Sequence, residues 1–193
     1  MVVRIDRVFT RGGDKGETSL GDGTRLSKSA LHIDAIGVLD EANAIIGALR
    51  AHLEAAETDL SVRLKDVQNL LFDMGGDLCM PEGNERAKRV GEGVLPALEK
   101  EIEKMRALQE PLTSFVLPGG SPAASWAHLA RTTVRKAERS LVALSRETSI
   151  NPVLVPILNR LSDYFFVVSR HLNDDGRKDI LWQPGNSFFS KER

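Results

Sequence analysis

The stretch RGGDKGETSLGDGTR, residues 11–25, combines the residue types that bind an anion. Its five glycines let backbone N–H groups approach a ligand closely. The charged and hydroxyl side chains that could join them are Arg11, Lys15, Thr18, Ser19 and Arg25. The stretch is not a Walker loop, because no Gly-Lys-Ser/Thr follows the glycines, and it is not a dinucleotide-binding Gly-x-Gly-x-x-Gly turn. It predicts a phosphate cradle, with a disordered surface segment as the open alternative.

A second group of charged residues shares one face of a predicted helix. At 100° per residue, Arg131, Arg135 and Glu138 fall within about 60° of one another. Two guanidinium groups one turn apart repel each other unless an anion joins them, and arginine suits bidentate binding of carboxylate or phosphate. Glu138 could pair with an arginine, bind a ribose hydroxyl or help to hold a metal. A solvated charged face is the alternative.

The next helix is apolar nearly all round, yet it carries polar residues in one narrow sector. These are Asn159, Asp163 and Arg170, with Phe166 among them. Buried polar groups are costly unless they are paired or hold something polar. The sector therefore predicts either part of a binding site or an internal salt-bridge network.

The sequence gives little support for a metal-dependent mechanism or for a covalent intermediate on the protein. The histidines are His32, His52, His128 and His171, and none belongs to a Glu-x-x-His or His-x-x-x-His pair. No G-x-S-x-G elbow is present, and Cys79 is expected to be a buried, inert thiol. We therefore expect no protein metal site and no protein nucleophile.

Composition excludes further classes of function. The chain has 193 residues, a formal net charge of -1 and a single cysteine. Such a balance provides no general field for nucleic acid or an anionic membrane, and one cysteine cannot form an internal disulfide. No segment reaches the ~20 apolar residues of a membrane-spanning helix, and the N-terminus lacks a signal core. We expect a cytoplasmic protein that binds its anion locally.

The elements that must position these residues are helices. Apolar residues at helical spacing predict five of them, at 27–56, 59–79, 94–110, 122–147 and 151–173. The apolar stripe of the first helix is Ala35, Leu39, Ala42, Ile46, Leu49 and Leu53, and that of the second is Val62, Leu64, Val67, Leu70, Leu71, Met74 and Leu78. Ser121 is the expected N-cap of the fourth, with Pro122 at its first position. No alternating strands are evident, and 80–93 is predicted to be a mobile loop. The sequence thus predicts one all-α domain, 1–193: a glycine-rich nucleotide-binding segment (1–27), a helical bundle (28–174) and an irregular tail (175–193).

Five motifs carry a resemblance to a known family. They are TRGGDKGETSLGDGTRLSK at 10–28, AIGVLDEANAIIG at 35–47, FVLPGG at 115–120, ARTTVRKAER at 130–139 and NRLSDYFFVVSR at 159–170. In this order they resemble the PduO-type ATP:cob(I)alamin adenosyltransferases. The resemblance implies a five-helix bundle, a homotrimer and an active site at each subunit interface.

The resemblance also implies the reaction. Cob(I)alamin attacks the ribose C5′ of ATP, adenosylcobalamin forms and triphosphate leaves, so the protein need only orient ATP and stabilise the leaving group. Mg²⁺ would neutralise phosphate charge, and a flavin-type reductase is expected to supply electrons. The nucleotide-binding positions that match the family are Thr10, Arg11, Gly13, Asp14, Lys15, Gly16, Thr18, Lys28, Arg135, Glu138 and Asn159.

Three further positions match functional residues of the family. Asp40 and Arg131 match a pair that joins two subunits, and Phe115 matches an aromatic that covers the lower face of the corrin. Displacing the axial base there would make the Co(II) centre easier to reduce. A core plug is the alternative for Phe115. Ala42 and Lys136 depart from the usual Leu and Arg, which leaves the proposed ligands in place.

Two other functions remain open from the sequence. One is a non-catalytic bundle that binds ATP as a regulatory module, and the other is a purely structural trimer. Tight ATP binding without triphosphate release would favour the first. Absence of ATP protection of residues 11–25 against proteolysis would favour the second.

Overall fold

A computed structural model describes residues 9, 11–85 and 87–185 of the chain. A short hairpin precedes five helices: β1 (Glu17–Ser19), β2 (Arg25–Ser27), α1 (Leu31–Ala51), α2 (Thr58–Leu78), α3 (Val94–Arg106), α4 (Pro122–Leu144) and α5 (Leu154–His171). The predicted all-α class with five helices is confirmed. Within the part of the chain just given, no helix is both long and apolar enough to cross a bilayer.

The helices share one apolar core around α4. This helix packs against both α5 and α1, while α2 packs on α1 and α3 packs on α5. The stripe predicted for the first helix is buried from Ala35 through Leu39, Ala42 and Ile46 to Leu49. Its last member, Leu53, lies beyond the end of α1 and is half-buried against the core. Burial of these side chains is the main stabilising contribution to the bundle.

One residue predicted on the apolar stripe of α2 lies elsewhere. Val62 is 50% exposed, whereas Leu60 and Leu64 are buried. Because successive residues turn by 100°, Val62 lies about 200° from each of these leucines and points away from the core. The prediction for Val62 was therefore wrong.

A side-chain cap marks the start of α4, and the prolines near the starts of α4 and α5 fit their positions. The Ser121 side chain accepts a hydrogen bond from the Ala124 N–H at 3.0 Å, and Pro122 occupies the first turn, as predicted. Pro156 is the third residue of α5, where its missing N–H breaks no intrahelical hydrogen bond. Both prolines are thus compatible with the helices that contain them.

The hairpin is a feature that the sequence pattern did not predict. β1 and β2 pair antiparallel, with Thr18 opposite Leu26, and the Leu20 N–H extends the pairing to the Thr24 carbonyl at 2.9 Å. Strands of three residues are too short to display alternation. The signal that could have found them is Asp22-Gly23, since Gly23 adopts the positive φ of +92° that such a turn requires.

A buried carboxylate anchors the segment that follows α2. Asp77 is almost fully buried and accepts hydrogen bonds from Arg89 Nη1 at 2.6 Å, the Val90 N–H at 2.9 Å and Asn151 Nδ2 at 2.7 Å. The hairpin meets the same helix end, because the Gly21 N–H donates to the Cys79 carbonyl at 2.8 Å. Asp77 therefore ties the end of 80–93 to α2 and to the start of α5.

Candidate functional site

The glycine-rich segment folds into two consecutive turns ahead of the hairpin. Asp14 N–H donates to the Arg11 carbonyl at 3.3 Å, and Gly16 N–H donates to the Gly13 carbonyl at 3.1 Å. Arg11 and Gly16 both adopt positive φ, +60° and +82°. The N–H groups of Gly13 and Lys15 donate to no described residue. They are therefore available to an anion.

Lys28 lies directly against this segment. Its backbone N–H donates to the Gly16 carbonyl at 2.8 Å, and its ammonium group would lie 2.9 Å from a Cβ added at Gly13. Glycine at position 13 thus leaves space for the lysine ammonium beside the turns. The predicted grouping of Gly13, Gly16 and Lys28 is present within one chain.

Arg25 braces the same turns, although its side chain is 44% exposed. Its guanidinium donates to the Gly12 carbonyl at 3.0 Å and to Ser19 Oγ at 3.2 Å, and pairs with Glu17 at 3.3 Å. By contrast, the charged side chains of Arg11, Asp14 and Lys15 make no ion pair with a described residue. The segment therefore presents unpaired charges around its turns, and Arg25 has a structural role.

On α4, Arg131 and Arg135 lie close enough for their charges to interact. The Arg131 side chain is half-buried, and its Nε atom is buried without a hydrogen-bond partner in the described part of the chain. Burial first, and the neighbouring Arg135 charge second, lower the pKa of Arg131. Neither guanidinium has a carboxylate partner among the residues described. Two cations one turn apart on a helix repel each other, and an anion bound beside them would relieve this repulsion.

Glu138 and Asn159 bridge α4 and α5 beside these arginines. Asn159 Nδ2 donates to Glu138 Oε1 at 3.0 Å, and Arg160 Nη1 donates to Asn159 Oδ1 at 3.0 Å. A surface groove of about 420 Å³ lies along this part of α4, lined by Arg135, Glu138, Arg139, Val142, Ala143 and Arg146. The predicted grouping of Arg135, Glu138 and Asn159 is thus present.

The polar sector of α5 separates into two environments. Asp163 is exposed and pairs with Arg160 at 3.5 Å, whereas Arg170 is buried and pairs with Asp179 at 2.7 Å. The internal-network alternative therefore applies to Arg170. The partner Asp179 lies in the tail, where no periodicity points to it.

The polar and small residues on one side of α1 lie in two different environments. Asn43 is buried and exchanges hydrogen bonds with Gln68 of α2, at 3.0 and 3.1 Å, and a Cβ on Gly47 would lie 3.5 Å from Gln68 Nε2. Asn43 and Gly47 thus serve packing within the chain. Asp40 is exposed, and no ion pair joins it to Arg131 or to any other described residue.

Phe115 is 78% exposed, so the core-plug alternative is wrong. Its ring lies 6.0 Å from that of Trp182, with the planes inclined by 55°. The segments carrying them pair through the Val116–Leu181 bridge. Sequence reasoning missed Trp182 because residue spacing in the tail gives no periodic signal.

Other residues of interest lie away from these groups or outside the description. Thr10, a predicted phosphate contact, is not among the described residues. Cys79 is only half-buried, so the prediction of a fully buried thiol was wrong, and the burial that it has raises the pKa of the thiol. Lys136, which departs from the family pattern, pairs with Glu41 at 2.8 Å. No hydrogen bond or ion pair joins the glycine-rich segment to α4 within the described part of one chain.

Comparisons with known proteins place this arrangement in context. A family model described as cobalamin adenosyltransferase matches residues 8–172. A corrinoid adenosyltransferase of Mycobacterium tuberculosis is 40% identical over 96% of this chain and 97% of that protein. One from Bacillus subtilis is 41% identical over 86% of each chain.

A solved structure is also similar. It is a variant PduO-type ATP:corrinoid adenosyltransferase from Lactobacillus reuteri, complexed with cobalamin and ATP. It superposes with a TM-score of 0.87 at 36% sequence identity, over 92% of this chain and 97% of that one. The fold and the matched length therefore agree with the sequence relationship.

Proposed function

The chain belongs to the cobalamin adenosyltransferase family, and on that premise we propose that it transfers the 5′-deoxyadenosyl group of ATP to the cobalt of cob(I)alamin. It is therefore an ATP:corrinoid adenosyltransferase, with ATP and cobalamin as its substrates. The Co(I) electron pair forms the bond to the ribose C5′, and the bond from C5′ to oxygen breaks as triphosphate leaves. Because the cobalt is itself the nucleophile, the protein positions ATP and stabilises the departing anion.

The observation that supports this assignment most is the unpaired state of the two α4 arginines. Arg131 is half-buried with an unpartnered Nε, and Arg135 adds a second positive charge beside it. Anions are needed to offset their repulsion, and the proposal supplies two: the carboxylate of a neighbouring subunit's Asp40 beside Arg131 and a phosphate beside Arg135. In the proposed site Arg135 contacts the nucleotide phosphates, while Glu138 and Asn159, already joined at 3.0 Å, contact the nucleoside.

The glycine-rich segment supplies the other half of the phosphate grip. Gly13 and Lys15 contribute backbone N–H groups that donate to none of the residues described, and Lys28 places its ammonium against Gly13. Arg11, Asp14, Gly16 and Thr18 complete this half, and Thr10 stays a predicted contact. Mg²⁺ is expected to arrive with ATP, and among the described residues no cluster of three or more His, Cys, Asp or Glu side chains could hold a metal.

The two halves come from different subunits of a homotrimer. In one chain the glycine-rich segment makes no hydrogen bond to α4, and both Asp40 and Arg131 lack ionic partners among the described residues. An Asp40 to Arg131 pair across the interface satisfies both charges and brings the segment to the neighbour's arginines. A cytoplasmic location and a flavin-type reductase as electron donor stay predictions.

Phe115 assists the reduction of the cobalt that precedes adenosyl transfer. Its exposed ring covers the lower face of the corrin and displaces the axial base, which makes the one-electron reduction from Co(II) to Co(I) easier. Phe115→Ala should therefore impair turnover from Co(II) more than turnover of pre-reduced Co(I). Equal losses in both assays would contradict this role.

The direct test mixes the protein with ATP, Mg²⁺ and chemically reduced cobalamin. The cobalt absorption spectrum should change to that of adenosylcobalamin, with one triphosphate released for each adenosyl group transferred. Tight ATP binding without triphosphate release would instead support a non-catalytic regulatory module. A purely structural trimer would bind no ATP, and residues 11–25 would gain no protection from proteolysis.

A further inference from the structure

The hairpin and the glycine-rich turns form one connected unit. The backbone N–H of Lys28, which follows β2, donates to the Gly16 carbonyl at 2.8 Å. Arg25 of β2 donates from its guanidinium to the Gly12 carbonyl at 3.0 Å. Because these bonds join the hairpin to both turns, a displacement of the hairpin also displaces the backbone N–H groups that are proposed to bind the phosphates.

The tip of the hairpin lies on the turn that follows α2. Gly21 N–H donates to the Cys79 carbonyl at 2.8 Å. A Cβ added to Gly21 would lie 2.6 Å from Met80 Sδ and 3.2 Å from the Cys79 carbonyl oxygen. The φ of Gly21 is not in the positive range, so the close approach, and not the backbone conformation, favours glycine here. We call residues 79–81 the support turn.

The hairpin is fixed to the end of α2 at a second point, where it leads into α1. The His32 ring donates from Nε2 to the Leu78 carbonyl at 2.6 Å. A cavity of about 380 Å³ lies between the hairpin and the support turn, with Leu20, Leu26 and Met80 among its lining residues. Since the two surfaces are not packed flush, the position of the hairpin depends on a small number of contacts.

Arg89 holds the support turn from the other side. Its Nη1 donates to the Met80 carbonyl at 3.1 Å, and its Nη2 donates to the Pro81 carbonyl at 2.6 Å. The same guanidinium pairs with the buried Asp77 carboxylate at 2.6 Å. All three carbonyls of the support turn are thus hydrogen-bonded, that of Cys79 by the hairpin and the other two by Arg89.

We propose that Gly21 and Arg89 are positioning residues for ATP, which act through the support turn and the hairpin on the phosphate-binding N–H groups. The proposal rests on the adenosyltransferase function given above. It gives a role to segment 80–93, which lies outside the five family motifs. Leu20 is the one fully buried residue among residues 11–30. Displacement of the hairpin should therefore affect ATP binding more than the stability of the bundle.

Gly21→Val tests the contact between the hairpin and the support turn. It should raise KM for ATP by about 10-fold, because misplacing a positioned group by ~1 Å costs up to about 100-fold. The displaced N–H groups contact the phosphates in the ground state and in the transition state alike, so kcat at saturating ATP should not change. KM for cob(I)alamin should not change either, since the hairpin is proposed to hold only the nucleotide.

Gly91→Val is the matched control for Gly21→Val. Gly91 lies in the same segment as Arg89, its φ is not positive, and a Cβ there would meet nothing within 4 Å. It should leave KM for ATP unchanged. The Tm of both variants is measured alongside, because a purely structural contact would lower the Tm of Gly21→Val and leave its KM for ATP equal to that of Gly91→Val. That result would overturn the proposal.

Arg89→Lys tests the other side of the support turn and keeps the proposal falsifiable if Gly21→Val does not fold. Lysine keeps a positive charge beside Asp77 but replaces the planar fork that reaches two carbonyls by a single point charge. KM for ATP should rise by about 2- to 5-fold, which corresponds to the loss of one hydrogen bond. In the double variant with Gly21→Val the two effects should be less than multiplicative, because both act on the same turn.

Two failures are distinguishable in these measurements. An unchanged KM for ATP in each variant that folds, with the wild type active, overturns the positioning proposal and leaves the adenosyltransferase function in place. If the wild type forms no adenosylcobalamin from ATP and cob(I)alamin, the proposed function itself is wrong.

Discussion

Asp77 offers the sharpest test of how the bundle holds its loops. Asp77→Ala removes the acceptor for three donors, from Arg89, Val90 and Asn151. Arg89 is not stranded, because its side chain is 32% exposed and still donates to the Asp77 carbonyl at 2.7 Å and to the Pro81 carbonyl at 2.6 Å. The full cost of about 3–5 kcal/mol for breaking a buried ion pair is therefore an upper bound.

The remaining cost comes from two donors. The Val90 N–H is buried and loses the acceptor that it has among residues 11–85 and 87–185, which costs about 1–3 kcal/mol. Asn151 Nδ2 retains the Val90 carbonyl at 2.9 Å, so its loss is smaller. We expect the free energy of unfolding to fall by about 2–4 kcal/mol, and the Tm of a chain of this length to fall by about 5–15 °C.

The assay is thermal unfolding at one fixed protein concentration, since assembly makes Tm concentration-dependent. Asp73→Ala is the control: Asp73 lies one turn earlier on α2, is exposed and has no ionic partner among the described residues. It should leave the Tm unchanged. Equal Tm values for Asp77→Ala and Asp73→Ala would refute the account of the buried carboxylate as an anchor.

Three further predictions address the site and the core. Arg135→Ala removes a charge-assisted phosphate contact of about 1.5–3 kcal/mol and should lower kcat/KM for ATP by about 10- to 150-fold. Lys136→Ala is the control, because it removes only the ion pair with Glu41 and should leave kcat/KM for ATP unchanged. Near-normal ATP kinetics in Arg135→Ala would contradict the assignment of Arg135. His128 is buried, and its two ring nitrogens have no hydrogen-bond partner among the residues that the structure describes. Burial first, and the Arg131 charge second, lower its pKa below 6.5. As pH falls below about 6.5, the unfolded state takes up the His128 proton before the folded state does, so the free energy of unfolding falls. The Tm of His128→Leu should therefore decline less than that of the wild type between about pH 7.5 and 5.5. Parallel declines of the two proteins would refute this. Gly120→Ala should lower the Tm because no Cβ fits beside Asn173, whereas Gly37→Ala should not, since there is open space around Gly37 on α1. Similar Tm values for the two variants would contradict this, because they would show that the turn at Gly120 can relax.

Helices were predictable because their signal is local and periodic. The buried stripe of α1 and the capped start of α4 follow from spacing and from Ser121-Pro122 alone. The hairpin was not predicted, since three-residue strands carry too few side chains to reveal a period of two. Its turn residues, Asp22 and Gly23, were the only local evidence for it.

The buried polar clusters could not be read from the sequence, because each joins residues that are distant along the chain. Asp77 meets Asn151 from a separation of 74 residues. Helical geometry correctly placed Arg170 on the polar side of α5, yet it could not reveal that Asp179 neutralises it from the tail. The α4 arginines were found because both members of the set lie on one helix.

The buried pair between α5 and the tail also constrains how this chain can diverge. A related protein whose chain ends before the position of Asp179, or that has a neutral residue there, leaves the buried Arg170 cation without its carboxylate partner. Replacing the arginine alone strands the carboxylate in the same way. The two positions should consequently be inherited as a unit, and a protein that has lost one of them should have lost the other.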